Sequence, residues 1–191
     1  MFKKLSFLLA VLSLVLALTA CAGSTATNLT GAPDAILTQI VTDTTAAMPE
    51  ANPVPKPLPN QAVTADNCTN IMGLSADDFN KYVDSASQSI AAIMTFPHEI
   101  ILIQAKDAAS AVKLKTLIAD NYDSHKWQCV LPDESSVIDS GSYVMLVASR
   151  TDITDAAVAA FKNLAGTTGD LNTFYTSAND TSGAGGGLQL N

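Results

Sequence analysis

Basic residues are scarce in this chain of 191 residues, which has ten lysines and arginines against 18 aspartates and glutamates. The formal net charge is −8, and it becomes −10 without residues 1–20, because that segment holds two lysines and no acidic residue. A surface this acidic repels the phosphates of nucleic acids and of anionic lipids. We therefore expect no nucleic-acid partner, and we expect that membrane attachment would need something other than surface charge.

Residues that carry chemistry are also few. The only histidines are His98 and His125, and a metal site would need both of them together with carboxylates. The sequence has no CxxC pair, no phosphate-binding glycine loop and no basic patch. We predict no catalytic residue, no metal and no cofactor. His98, Glu99 and His125 stay as possible ligand or partner contacts, with structural pairing of Glu99 and a solvated His125 as the alternatives.

The first twenty residues have the organisation of a signal peptide. Lys3 and Lys4 precede an uncharged segment, residues 5–20. As a helix this segment would be about 24 Å long, which is short of a hydrocarbon core of about 30 Å. This length argues against a permanent membrane span.

The four residues Leu18-Thr19-Ala20-Cys21 resemble the lipobox of bacterial lipoproteins. The resemblance implies diacylglycerol on the sulfur of Cys21, cleavage after Ala20, and stable anchoring by acyl chains such as palmitate. We therefore expect a lipid-anchored protein on the extracytoplasmic face of a bacterial membrane, in the cell envelope. The alternatives are an uncleaved anchor and an ordinary cleaved signal peptide followed by full secretion.

The two other cysteines, Cys68 and Cys129, form an even pair once Cys21 is assigned to lipid. Disulfides persist in extracytoplasmic compartments. A bridge between them would close a loop of about 60 residues and contribute about 2–4 kcal/mol. The alternative is two unrelated small core residues, so the disulfide is a possibility that the sequence leaves open.

Composition divides the mature chain into five segments. Small polar residues predict a flexible lipid tether, and apolar residues at helical spacing behind Pro33 predict a helix that ends before Pro49. Prolines make up five of the eleven residues from Pro49 to Pro59, which indicates an extended linker. The predicted segments are the tether 21–32, the helix 33–48, the linker 49–62, an α+β domain 63–166 and a disordered glycine-rich tail 167–191.

Within the domain, local signals predict alternating helices and strands. Ser75 can cap a helix, and Glu99–Ala105 is apolar at successive positions, as in a strand buried on both faces. Asp107 can cap the next helix, and Asp139–Ser142 is typical of a hairpin turn, which explains these residues better than a serine nucleophile. We predict an α+β fold: a small antiparallel sheet of about four strands with helices mainly on one face, preceded by a signal peptide.

The order of these elements resembles the small bacterial lipoproteins that carry domain of unknown function 4358. The resemblance implies that Ser85–Ile93 pairs as a strand with Glu99–Ala105, although Phe79, Val83, Ala86, Ile90 and Ile93 have helical spacing. The proline linker, both non-lipid cysteines and the glycine tail depart from the family, which brings no established activity and so no catalytic residue. The motifs that carry the resemblance are the lipobox, Met48-Pro49, Gly73-Leu74-Ser75-Ala76-Asp77-Asp78, Tyr82-Val83, His98-Glu99-Ile100, the helix after Asp107, Leu131-Pro132-Asp133 and Gly141-Ser142-Tyr143-Val144.

The function that we expect from the sequence is a non-catalytic, membrane-tethered module that binds a small ligand or an envelope protein. One rival is a cell-envelope enzyme, a hydrolase whose His98, Glu99 and His125 would have to converge in one pocket. Another is a structural assembly factor, which we would expect if the helix 33–48 packed against a second copy.

Overall fold

The computed structural model describes residues 27–93, 95–127 and 130–180. The leader, Cys21 and Cys129 lie outside the described residues. In chain order the elements are α1 (Pro33–Ala47), β1 (Gln61–Val63), α2 (Cys68–Met72), α3 (Ala76–Tyr82), β2 (Val83–Ile90), β3 (Glu99–Ala105), α4 (Ala108–Asn121), β4 (Glu134–Ser140), β5 (Tyr143–Ser149), α5 (Thr151–Ala165), β6 (Asn172–Thr176) and a 3-10 turn (Ser177–Asn179).

The strands form one open antiparallel sheet in the order β1-β2-β3-β5-β4-β6. This confirms the α+β class and corrects the expected count of about four strands, since the sheet has six. The two additional strands, β1 and β6, lie at the edges and are three and five residues long. Strand β1 is too short to give a local signal, whereas residues 173–176 of β6 are strand-forming residues that the prediction had assigned to the tail.

Helices cover both faces of the sheet, so the prediction of helices mainly on one face was wrong. Ile101 and Ile103 of β3 belong to a core with α4, whereas Ile100 and Leu102 belong to a core with α1 and α5. Successive side chains of a strand point to opposite faces. Because β3 is apolar at both sets of positions, each face must be shielded from water by its own helical layer.

The segment Ser85–Ile93, whose helical spacing conflicted with the strand that the resemblance implies, is a strand as far as Ile90. Helix α3 begins after Ser75, whose side chain accepts a hydrogen bond of 3.1 Å from the Asp78 amide, and it ends at Tyr82. From Val83 the chain is extended and pairs with β3, with Ala86 opposite Ile103. Cross-strand pairing outweighs the helical spacing here, because a helix would leave the ladder groups of β3 without partners.

The predicted proline linker is part of the domain. Val54 is buried, Pro57 bridges Ala91, and the Leu58 amide donates to the Ile90 carbonyl at 2.9 Å. The linker also ends earlier than predicted, because β1 starts at Gln61. Proline is compatible with this position, since a residue on a sheet edge does not need an outward-facing N–H group.

The predicted tether and tail also need correction where the structure describes them. The Asn28 amide donates to the Ala165 carbonyl at 2.9 Å, and Leu29 is buried, so residues 27–32 lie on the domain. Residues 172–176 form β6 rather than disordered tail. Within the described ranges, every helix is too short or too polar to cross a membrane.

Candidate functional site

The fold does not bring His98, Glu99 and His125 into one pocket. His98 and Glu99 are consecutive at the start of β3, so they face opposite layers. Nδ1 of His98 lies 3.0 Å from Ser149 Oγ on the α1 and α5 side, and Glu99 lies under α4. His125 is half-exposed in the loop after α4, with its Nε2 2.8 Å from Asp180 Oδ2. These three residues therefore do not form a common site.

Glu99 is fully buried and accepts three hydrogen bonds. The Tyr122 hydroxyl and the Lys126 ammonium each lie 2.5 Å from Oε1, and the Gln88 amide lies 2.7 Å from Oε2. Lys126 also donates to the Ile71 carbonyl at 2.8 Å. A buried carboxylate needs this number of donors, because an unpaired charge inside a protein is very costly.

This network has little capacity for catalysis. Burial raises the pKa of Tyr122 well above its usual value, and the adjacent Glu99 carboxylate raises it further. Tyr122 therefore acts as a neutral donor and not as a nucleophile. The Lys126 ammonium is held by Glu99 and lies 4.6 Å and 5.1 Å from the ring centroids of Tyr122 and Trp127. The arrangement supports a structural role, in which Glu99 holds the loop 122–127 on the sheet.

The outer side of the same loop contacts the aromatic residues of β6. The register of β4 and β6 shifts between Ser135 and Ser136, opposite Phe174. The ring of Phe174 packs on Tyr122 with a centroid separation of 5.8 Å, and that of Tyr175 packs on His125 at 5.6 Å. A β-bulge redirects side chains in this way. His125 therefore has a packing role in addition to its pairing with Asp180.

His98 is buried in a polar corner at the end of the α1 and α5 layer. Within the described part of the chain, His98 Nε2, Ser89 Oγ and Thr154 Oγ1 are buried without a hydrogen-bond partner. Burial, together with the nearby positive charge of Arg150, lowers the pKa of His98 to about 4. The folded protein therefore holds this imidazole neutral at pH values where an exposed histidine is protonated.

We expect the protein to lose stability through His98 as the pH falls from about 6.5 to about 4. In this window the unfolded chain binds a proton at His98 and the folded chain does not, so protonation favours unfolding. The full pKa shift corresponds to a contribution of about 3 kcal/mol to the free energy of unfolding. The whole contribution is present above pH 6.5. The check is urea unfolding across this range for wild type and His98→Asn. The variant should lose this part of the pH dependence, and an unchanged slope would contradict the assignment.

A groove runs along α1 on the surface of the domain. Its two adjoining depressions have volumes of about 390 and 440 Å³ and share Asp34 and Asn60. The amide of Asn60 donates to the Asp34 carbonyl at 3.3 Å and to Thr38 Oγ1 at 3.0 Å, which fixes the extended segment beside the helix. Among the described lining residues Asp34 is the one charged side chain. The lining comprises Ala32, Pro33, Asp34, Thr38, Val41, Thr42, Pro57, Leu58, Pro59, Asn60, Ala62, Ser85, Ala86 and Ser87.

The sequence-based reading missed this groove because it treated the prolines as a linker. One feature of the sequence does indicate extended chain here. Pro57 and Pro59 flank Leu58, and proline fixes its own φ angle and restricts the residue before it to extended conformations. Extended chain next to a helix leaves a furrow when small residues such as Ala62 and its cross-strand partner Ser87 line its floor. Nothing in local spacing shows that this segment lies beside α1.

Cys68 is buried and forms no disulfide with any described residue, and its Sγ lies 3.3 Å from the Leu74 carbonyl oxygen. Burial raises the pKa of this thiol, which makes it a poor nucleophile. Its possible disulfide partner, Cys129, lies outside the described residues, so the bridge stays a prediction. Across the described ranges no three His, Cys, Asp or Glu side chains are grouped so that they could hold a metal ion.

No protein-family model matches the sequence. Neither the curated proteins nor the solved structures gave a match.

Proposed function

We propose that this chain is a lipid-anchored module on the extracytoplasmic face of a bacterial membrane, where it binds a small ligand or an envelope protein. The anchor rests on the lipobox-like Leu18–Cys21 behind a charged start and an uncharged segment. The order of elements that resembles lipoproteins with domain of unknown function 4358 supports the same proposal. Two acyl chains hold a protein stably on a bilayer, whereas one holds it only marginally.

The observation that carries the binding role is the groove beside α1. It combines apolar walls from Pro57, Leu58 and Val41 with the polar groups of Asp34 and Asn60. Sites for ligands typically have this composition, in which a few polar groups orient a molecule along an apolar lining. Leu58 is 39 % exposed, so one wall of the groove offers apolar surface to a partner.

Both rival functions have less support. A hydrolase that uses His98, Glu99 and His125 would require the three side chains to converge. His98 and Glu99 instead lie on opposite faces of the sheet, and His125 lies in the loop after α4. An assembly factor would require an unpartnered apolar face on α1. The apolar residues Leu37 and Ile40 of α1 are already fully buried against the sheet and α5.

A photo-crosslinking side chain at Thr42 in intact envelopes tests the binding role. Thr42 is exposed on the groove wall, and Thr116 on α4 is a matched control, because each exposed hydroxyl donates to the carbonyl four residues earlier. We expect a discrete adduct from Thr42 at least about fivefold stronger than from Thr116, because an occupied groove excludes water. Equal adducts from both positions, or none from either, would contradict the groove as the binding surface.

A further inference from the structure

We propose that one end of the sheet lies against the lipid headgroups and that the opposite end is directed away from the membrane. This inference rests on the proposed lipid at Cys21. We call the end formed by Ala105, the β4–β5 turn at Gly141 and the end of α5 the tether end. The far end is formed by Ile90, Glu99, Ser149 and the loop 122–127.

The first described residues are attached at the tether end. The Asn28 amide donates to the carbonyl of Ala165, the last residue of α5, at 2.9 Å. The Tyr143 hydroxyl at the start of β5 donates to the Gly31 carbonyl at 2.8 Å. The segment that leads back to Cys21 therefore leaves the domain from this end.

The length of the chain limits how the domain can lie on the bilayer. The six residues from Cys21 to Thr27 span at most about 21 Å even when fully extended. A strand of seven residues such as β3 is itself about 20 Å long, and the loops of the far end add to that length. An upended domain, with its far end on the bilayer and its tether end uppermost, would therefore need more chain than there is between Cys21 and Thr27.

Charge favours the same orientation. The exposed charges of the tether end are mixed. The lysines are Lys81 before β2, Lys106 after β3 and Lys162 near the end of α5. The aspartates are Asp34 in the first turn of α1, Asp84, Asp107 and Asp170, which follows Gly169, whose amide donates to the Asp139 carbonyl. At the far end Lys126 and Arg150 are paired with Glu99 and Asp152. The exposed acidic residues there include Glu50, Asp120, Asp123, Asp133, Asp152 and Asp155, against the exposed Lys56, whose carbonyl accepts from the Ala92 amide.

Anionic headgroups attract lysines and repel carboxylates close to the bilayer surface. The exposed lysines of the tether end nearly balance its exposed aspartates, whereas the far end has a clear excess of carboxylates. The tether end is therefore repelled less and is the end that fits the headgroups, and the acidic far end is directed outward. A partner would then meet a strongly acidic surface first. The groove beside α1 runs between the two ends and stays accessible from the side.

Energy transfer from tryptophan to a dansyl-labelled headgroup tests this orientation in the full acylated chain on phosphatidylglycerol-containing vesicles. The single native tryptophan, Trp127, lies in the far-end loop next to Lys126. In a Trp127→Phe background, Ser142→Trp places the reporter in the β4–β5 turn at the tether end. Lys162→Trp supplies a second tether-end reporter at an exposed helix position if Ser142→Trp fails to fold.

We expect transfer from the tether-end tryptophans to be at least about threefold more efficient than from Trp127, because transfer falls steeply with distance. Equal or reversed efficiencies in protein that floats with the vesicles would overturn the orientation alone. Failure of the wild type to float, with no lipid mass on Cys21, would overturn the anchor and the orientation together.

Discussion

Replacing Lys126 with methionine is expected to lower the free energy of unfolding by about 3 kcal/mol, because it leaves a buried carboxylate without its cation. Glu99 is fully buried, and its Oε1 lies 2.5 Å from the Lys126 ammonium. The side chain of Lys126 is 18 % exposed, so the loss should fall at the lower end of the range for buried pairs. Urea unfolding of wild type and variant measures this difference directly.

The experiment includes a double-mutant cycle of Lys126 and Glu99 and a control variant. Glu99→Gln should also destabilise, and the double variant should lose clearly less than the sum of the two single losses, because each change removes the same interaction. Lys113→Met on the exposed face of α4 is a matched control and should stay within about 0.5 kcal/mol of wild type. Additive losses, or a Lys126→Met variant as stable as the control, would show that Glu99 does not hold the loop.

Replacing Cys21 with serine is expected to abolish acylation and processing. A serine hydroxyl does not replace the thiol that the lipobox presents, so no diacylglycerol should be attached and residues 1–20 should be retained. The mass of the purified chain and incorporation of a labelled fatty acid measure both steps. Wild type should lose the leader and gain lipid, a state that two acyl chains make stable on a membrane.

Cys68→Ser and Cys129→Ser serve as controls for the Cys21 experiment, because they remove a thiol without touching the lipobox. Both should be acylated and processed like wild type. If Cys21→Ser is trimmed to the same length and stays acylated, the lipoprotein assignment is wrong. If the wild type itself is cleaved and released without lipid, the result would instead support the alternative of an ordinary signal peptide followed by full secretion.

Elements with a complete local signal were predicted well. The predicted hairpin turn lies between β4 and β5, but its loop is Gly141 and Ser142, because Asp139 and Ser140 are the last residues of β4. Gly141 has φ +56°. Asp107 caps α4, since its carboxylate accepts from the Ser110 amide at 2.7 Å. Gly166 ends α5 with φ +77°. Caps and turns depend on hydrogen bonds between residues a few positions apart, so the sequence contains them in full.

Elements that depend on distant partners were predicted poorly. Strand β1 pairs with β2, and β6 pairs with β4, which are remote from them in sequence. The segment at Pro57 and Leu58 likewise pairs with the chain at Ile90 and Ala91. The second helical layer was also missed, although the apolar pattern of β3 on both faces required it. A pattern shows that a face must be covered, but it does not show which helix covers it.

From local patterns alone, the sequence determined the α+β class and the position of most helices and strands. It also carries the lipobox-like residues from which we propose lipid attachment at Cys21. The tertiary structure decided what the candidate side chains do, because Glu99 meets Gln88, Tyr122 and Lys126 across separations of 11 to 27 residues. It also placed Asp34 beside Asn60 and Asn28 beside Ala165. Contacts of this kind depend on how the sheet is ordered and which face each helix covers, and no short stretch of residues specifies either of these.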